Sequence, residues 1–571
     1  MNNTSKFATI CLVFLILVFS FLRLIKLNEV PVSLFSDEVD IGYQVKSLLQ
    51  TGKDYQGNFL PLQFHSFSDV RTGLPIYATA LISLLPGISI DQAIRITPAL
   101  FSLFGMLGIY LLTNSLFQLF GITRKNIINP GLSAAFLLSI TPWHFTYSRT
   151  GFELSQLFAF FTLGLACLIL YLLHNRPRHI VASLILLSLT PAVYSTAKLS
   201  LLFLPLLFLC LPGFWEKFKA GNQLKVFVVL LFFPLFLIFL SGGASQRFSE
   251  LAIFTDPTLS TRTDYLRQVD LGQNPQLGSS PSLVSSVTHN KPLLIATSFV
   301  KNLFGPVSTD FLFVAGDPNQ RHALPGWGMM LKSFSLLLLI GLLRLFFEKK
   351  KRFLIFLTAL AVLSVIPSAL TRDGAYHSSR TFMLILPLTL VSSLGLYTLL
   401  SRRMLSILLA IVLLFESFLY FHDYFIHYPL ISERDFHAGL KELVSEVKKY
   451  PNQPIILTRT YEPSLIFFLY YTDFPPEKAQ SLIMSNRLTI PITGDLNLEG
   501  VKITDTNIYL ANVRDFGTHD PLVFKDAIYV LPGKEAALLI EKKYAEKISD
   551  ISFPSGELLF TTVRPISVQA Q

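Results

Sequence analysis

Cysteine, tryptophan and methionine are all scarce in this chain, at 3, 3 and 7 of 571 residues. Cys11, Cys167 and Cys210 each lie in an apolar run, with no metal-site spacing and no disulfide framework, and read as small core residues. Charge is scarce as well. Asp, Glu, Lys and Arg make up 15% of the chain, against about 25% in an average soluble protein. That excludes disorder and coiled coils. Internal repeats, low-complexity tracts and nucleic-acid motifs are absent, so the net charge of +10 does not indicate an RNA or DNA partner. What is abundant is apolar: 51% hydrophobic residues, including 51 Phe. The composition is that of a polytopic membrane protein with soluble mass attached.

Apolar runs long enough to be read as spans lie at 7–27, 94–119, 131–147, 153–173, 180–196, 198–214, 225–241, 330–347, 353–370, 381–400 and 404–421. Pro191 and Pro205 interrupt the two shortest, 180–196 and 198–214, which also fit one broken hairpin. The first run has one charge before it, Lys6, and no small-x-small cleavage site after it, so it reads as a retained anchor. Basic residues mark alternate loops: Arg124 and Lys125; Arg176 and Arg178; Lys217, Lys219 and Lys225; Arg344 with Lys349 to Arg352; Arg402 and Arg403. Segment 28–92, on the other side, holds seven acids and three bases. The positive-inside rule then puts the N-terminus in the cytoplasm and the C-terminus outside a plasma membrane. The long segments, 28–92, 242–329 and 422–571, all fall outside. The expected fold is therefore mainly α: a helical bundle over 1–421, and a small extracytoplasmic α/β domain over 422–571. In that tail, strand-like runs at 454–458, 507–511 and 527–531 alternate with helical ones at 437–450 and 534–547, and 460–471 can start a further helix. The tail has no phosphate loop or nucleophile motif.

Chemistry-bearing residues gather at the outer ends of the spans. The first outer loop opens Ser36-Asp37-Glu38-Val39-Asp40 and continues as an amphipathic helix to a Gly52 cap. Two readings fit the acidic pair. Acids stabilise the positive end of a helix dipole by about 0.3–1 kcal/mol; a carboxylate at a membrane surface can also serve as a base or metal ligand. Downstream come Asp69-Val70-Arg71-Thr72-Gly73-Leu74-Pro75, then Arg95-Ile96-Thr97-Pro98 at the second span, and Pro142-Trp143 with Ser148-Arg149 closing the third.

This ordered set resembles the C-type (GT-C) membrane glycosyltransferases, in particular the family 39-like branch of protein O-mannosyltransferases and the bacterial aminoarabinose transferase. The resemblance covers about 7–240, is looser over 290–400 and is absent from the tail. It implies an enzyme that moves a hexose or pentose from a polyprenyl-phosphate carrier to a glycan, lipid or protein acceptor at the outer face. It implies that Asp37 is the catalytic carboxylate and that Arg71 contacts the carrier phosphate. One departure stands out: relatives often carry Lys-Pro-Pro-Leu-Tyr, where this chain has Arg71-Thr72-Gly73-Leu74-Pro75, with Asp69 two residues earlier.

Direct displacement at the anomeric carbon needs a base for the acceptor proton and cations for the leaving phosphate. Glu38 is expected to orient or bind the acceptor. Arg149, Lys198, His377 and Arg380 are the further candidate phosphate ligands, each at an outer span end where the inside bias disfavours a cation. Asp317, Arg321 and His322, in the loop before the eighth span, are accessory candidates. A divalent metal ion is the one candidate cofactor. Two rivals remain: a carrier flippase or transporter, which would show repeats and midplane charges, and a non-catalytic assembly protein, which would need neither the acidic pair nor the outer cations.

Overall fold

The structure is a computed structural model that describes residues 3–67, 70–122, 129–233, 236, 251–272, 281–400, 403–460, 464–492, 497–516 and 521–566. Packing divides the chain into two compact units. One comprises Met1–Ile25, Pro98–Ser148 and Phe152–Phe421; the other comprises Lys26–Thr97, Arg149–Gly151 and His422–Gln571.

The first unit is helical. Each apolar run read from the sequence carries a helix, from Asn3–Phe21 to Arg403–His422. Among the described residues, five helical segments are long and apolar enough to cross a membrane: Ile90–Leu119, Leu154–His174, Lys351–Ala369, Phe382–Leu399 and Met404–Ile431. They mark a multi-pass membrane protein. The other apolar helices are shorter, and the reasons are local. The expected span 131–147 breaks at Thr141, which is extended (φ −70°, ψ 120°), because Pro142 has no N–H to continue the ladder and instead starts the short Pro142–Tyr147 helix. The expected span 198–214 ends at Leu209, and the Phe214–Ala220 helix that follows is turned by 92°. The run 225–241 is helical over Asn222–Leu231; residues 234–235 and 237–250 lie outside the described residues.

Close helix approach in this unit depends on missing side chains. A Cβ on Gly341 would lie 2.2 Å from the Val391 carbonyl oxygen, and one on Gly395 would lie 2.0 Å from that of Leu337. The Ser333–Phe347 and Ile385–Leu399 helices thus meet backbone to backbone at two points.

The second unit contains a hairpin, β1 (Gln63–His65) with β2 (Val70–Thr72), and a seven-stranded sheet. Its strands are β3 (Ile455–Leu457), β4 (Thr489–Pro491), β5 (Leu498–Ile503), β6 (Ile508–Val513), β7 (Ile528–Pro532), β8 (Ala545–Ser552) and β9 (Leu558–Pro565), in the order β4-β5-β6-β3-β7-β9-β8. β3 pairs in parallel with β6 and β7; the other pairs are antiparallel. The three strand-like runs of the tail are these central parallel strands, apolar throughout because both faces are covered. The 534–547 run differs from its expectation. Its helix is Gly533–Glu541, Lys543 turns left-handed (φ 60°), and Ala545 begins β8.

One face of this sheet has its own small core, with Ile456, Ala511, Tyr529 and Leu531 against Ala536 and Leu539. The opposite face, through Ile455, Leu457, Ile508, Leu510 and Val530, joins a larger core. That core includes Leu443 and Phe467 from the tail and Val39, Tyr43, Val45 and Leu48 from the Ser36–Thr51 helix. The first long loop and the tail are therefore one hydrophobic unit. The sequence reading treats them as separate, because each segment shows its own apolar pattern and nothing local shows that the patterns share a core.

Candidate functional site

The Ser36–Thr51 helix presents three carboxylates in its first turn and a half, and each has a different environment. Phe35 is the extended N-cap (φ −82°, ψ 172°), and its N–H donates back to Glu38 Oε2 at 3.2 Å, one half of a capping box. Glu38 is wholly buried. Arg95 donates to it through Nε (to Oε1) and Nη2 (to Oε2), both at 3.1 Å, and Gly151 N–H donates to Oε1 at 2.7 Å. Arg95 Nη1 also donates to the Leu27 and Pro31 carbonyls, at 2.8 and 2.7 Å. A side chain at 151 would meet Glu38 Cγ and Ile94 Cγ2 at 2.8 Å, so only glycine brings its N–H to the carboxylate. Glu38, expected from the sequence to orient or bind an acceptor, has both carboxylate oxygens enclosed and occupied by these donors.

Asp40 is one turn beyond Asp37 on the same face. Arg71 lies between them, with Nη2 2.8 Å from Asp37 Oδ1 and Nε 2.7 Å from Asp40 Oδ2. The β1–β2 hairpin delivers the arginine, pairing Arg71 with the buried Phe64. Tyr55 donates its hydroxyl to Asp40 Oδ1 at 2.9 Å, and Ser66 donates to Oδ2 at 2.5 Å. Burial, with the Asp40 charge beside it, holds the Tyr55 hydroxyl well above its ordinary pKa, so it stays a donor. The Asp40 and Arg71 side chains are 7% and 10% exposed, and Asp37 is 42% exposed. Of the three carboxylates, Asp37 is the most exposed to solvent.

Arg149 belongs to the same unit and is buried. Its Nη2 donates to the Val30 and Lys26 carbonyls at 2.8 and 3.3 Å, and its guanidinium lies 4.9 Å from the centre of the Phe425 ring. It pins the 26–30 turn. Asp69 lies outside the described residues.

The remaining candidates are in the first unit. Asp317 accepts at Oδ2 from Ser378 N–H (2.8 Å) and Ser378 Oγ (2.7 Å), and at Oδ1 from Asn319 N–H (2.9 Å). The Tyr147 hydroxyl bonds His322 Nδ1 at 2.7 Å and Ser378 Oγ at 2.8 Å, and Trp143 Nε1 donates to the Ser378 carbonyl at 3.2 Å. The Pro-Trp segment therefore carries the 371–380 loop. His377 Nδ1 bonds Ser379 Oγ at 2.9 Å, and Arg380 is matched by Asp373 at 2.6 Å. Burial and the nearby Arg380 push His377 down to about 4, and burial with the adjacent His377 pushes His322 well below the ordinary histidine range. Burial raises Asp317. The Arg321 Nε lies 3.4 Å from Asn319 Oδ1. Lys198, half-buried, is in the first turn of the Ala197–Leu209 helix. Among the described residues, two groups are close enough together to take a metal ion: Asp317, His322 and His377, and the more exposed His422, Asp423 and His427.

Sequence reasoning passes over Asp40 and Arg95 as site residues. Both signals were present. Asp40 is i+3 from Asp37 on a helix, and Arg95 is a basic residue in an otherwise apolar run.

No family model matches the chain, and no curated protein matches it in sequence. Solved structures similar to it include the Archaeoglobus fulgidus oligosaccharyltransferase AglB, in complex with an inhibitory peptide and a dolichol-phosphate. The identity is 12%, covering 98% of this chain and 75% of that one, with a TM-score of 0.44. ArnT from Cupriavidus metallidurans is similar in the apo state, at 12% identity over 97% of this chain and 98% of that one, TM-score 0.41. ArnT bound to undecaprenyl phosphate is similar at 12% identity over 98% of both chains, TM-score 0.39. At these values no residue role carries over.

Proposed function

We propose that this protein is an inverting glycosyltransferase of the GT-C kind, moving a sugar from a polyprenyl phosphate to an acceptor hydroxyl at the outer membrane face. One observation carries the reading: a solvent-reached carboxylate, Asp37, shares a guanidinium with a buried one, Asp40, through Arg71. The charge alternation of the loops supports a cytoplasmic N-terminus and an extracytoplasmic 422–571 tail.

The chemistry follows from the positions of the charges. The acceptor oxygen attacks the anomeric carbon of the donor while its proton passes to an Asp37 oxygen. The bond from that carbon to the phosphate oxygen breaks, and its electron pair stays on the polyprenyl phosphate. Arg71 receives the growing negative charge through a bidentate edge. A phosphate arriving at Arg71 Nη2 competes with Asp37 for that edge, so donor binding releases the base. Asp40, held by Tyr55 and Ser66, keeps Arg71 Nε in place throughout. Arg95 with Glu38, and Arg149 with its carbonyls, hold the loop that carries Asp37. The donor sugar spans hexoses and pentoses, and the acceptor is a glycan, lipid or protein.

The test is turnover by full-length protein in detergent, with a panel of radiolabelled polyprenyl-phosphate sugars and crude membrane acceptors. Label transfer or slow donor hydrolysis is expected from the native protein. Asp37→Asn lowers it by about 10²- to 10⁴-fold, the usual contribution of a positioned base. Full turnover in Asp37→Asn would overturn the assignment. Carrier binding with no turnover from any donor would favour a transporter.

A further inference from the structure

Two loops of the first unit meet through three side chains that suit a metal ion. Asp317 and His322 come from the segment 311–328, and His377 comes from 371–380. Their candidate ligand atoms all lie within 4.8 Å of one another. Zinc with nitrogen and oxygen ligands at about 2.0–2.1 Å has ligand–ligand edges of roughly 3.3 Å. Ligation would draw the three side chains together by up to about 1.5 Å along an edge.

The supporting hydrogen bonds are arranged as metal sites arrange them. A ligating histidine is oriented by a bond to its other ring nitrogen. Here His322 Nδ1 is held by the Tyr147 hydroxyl and His377 Nδ1 by Ser379 Oγ. With Nδ1 engaged in each ring, Nε2 is the nitrogen that would ligate a metal ion. The two rings are tilted by 44° to each other, with centroids 5.4 Å apart. Asp317 Oδ1 accepts a single bond, from Asn319 N–H, and keeps a lone pair, while Ser378 fixes Oδ2 with two donors. The local charge permits a cation. Arg380 is neutralised by Asp373, and Asp317 stands against Arg321.

We propose that Asp317, His322 and His377 bind one divalent transition-metal ion, zinc first among them, which clips the 311–328 loop to the 371–380 loop. Two imidazoles and one carboxylate suit zinc, cobalt or iron over magnesium or calcium. The set leaves a coordination position open for water or an anionic ligand. The other candidate group, His422, Asp423 and His427, has both histidines already on Asp423 and is open to solvent, so it serves as the comparison.

The experiment uses the full-length protein in detergent, stripped with a chelator and titrated with Co²⁺ and then Zn²⁺ alone. The native protein is expected to develop the visible absorption of nitrogen-ligated Co²⁺ and to melt higher with Zn²⁺ than with chelator. His377→Ala and His322→Ala lose the absorption and bind Zn²⁺ at least about tenfold more weakly, whereas His427→Ala keeps both. His377 is the least enclosed of the three ligands, so His377→Ala carries the test if His322→Ala does not fold. Its melt in chelator should match that of the native protein. No absorption and no Zn²⁺-dependent melting in the native protein overturns the proposal. So does an absorption that survives in His377→Ala. The readout is metal binding and does not depend on turnover.

Discussion

The Arg95 guanidinium meets the Glu38 carboxylate as a two-bond fork, both bonds 3.1 Å, with neither side chain more than 2% exposed. The neighbouring Asp37 is 42% exposed. Adjacent acids on one helix turn thus have different environments, and substitution should give them different effects. Glu38→Gln leaves a buried guanidinium without its charge partner, and breaking such a pair costs about 3–5 kcal/mol. Asp37→Asn removes a partly exposed ion pair, worth about 1 kcal/mol or less. Thermal melts should show a large drop for Glu38→Gln and a small one for Asp37→Asn, while turnover falls about 10²- to 10⁴-fold in Asp37→Asn. The reverse pattern would exchange the two roles.

Arg71 pairs with both the buried Asp40 and the exposed Asp37, so its variants should split stability from the proposed carrier binding. Arg71→Ala strips Asp40 of its cation. The cost should be about 2–3 kcal/mol, near the lower end for a broken buried pair, because Tyr55 and Ser66 still donate to the carboxylate. Arg71→Lys keeps the charge but loses the planar two-edged fork. It should melt close to the native protein and bind radiolabelled polyprenyl phosphate at least about tenfold more weakly. Asp37→Asn, which relieves the competition for Nη2, should bind the same carrier no less tightly than the native protein. Weaker binding in Asp37→Asn would argue against release of the base by the donor.

How much of this was legible in the sequence differs by link. Helix positions followed from apolar runs, and the Ser36–Thr51 helix with its Gly52 cap followed from periodicity and a turn residue. Both are local signals. The parallel strands β3, β6 and β7 were legible because they are apolar on both faces. β4, β5, β8 and β9 were not, since they are edge or near-edge strands with mixed residues such as Glu546 and Lys547. In the site, Asp37 and Arg71 came from an ordered motif set. Their contact comes from a hairpin register, which no spacing rule supplies. The sequence separates Glu38 from Asp37 only as an acceptor contact. Its partners, Arg95 and Gly151, are far away in the sequence, and only the folded chain shows that Glu38 is buried against them.

The shared core of the first loop and the tail predicts coupled unfolding. A Cβ on Gly42 would lie 2.7 Å from Tyr470 Cε2, within a ring whose hydroxyl bonds Asp91. Gly42→Ala must push that ring aside, and overpacking of this kind costs about 1–3 kcal/mol. Hydrogen exchange should then speed up together in Ser36–Thr51 and Ser464–Tyr471, the two helices that meet there. Faster exchange in the tail helix alone would mean the two segments are separable.

An ion pair within the same unit should give it an acid limit. Lys46 is buried, donating to the Phe474 carbonyl at 3.2 Å and pairing with Asp473 at 2.6 Å. Its bond and charge hold the Asp473 carboxyl below its ordinary 3.8. A carboxylate depressed in the folded state stabilises it above the unfolded pKa, and the contribution fades as pH falls through the folded value. The Asp473 side chain is 85% exposed, so solvent screening limits the effect to about 1 kcal/mol. Asp473→Asn should therefore melt slightly below the native protein at pH 7, and the gap should close as the pH is lowered below about 3.8. Added salt at pH 7 should narrow the same gap, because the carboxylate faces solvent. A gap unchanged at pH 3 and in high salt would show that Asp473 acts by shape and hydrogen bonding, and that the Phe474 carbonyl alone satisfies the buried Lys46.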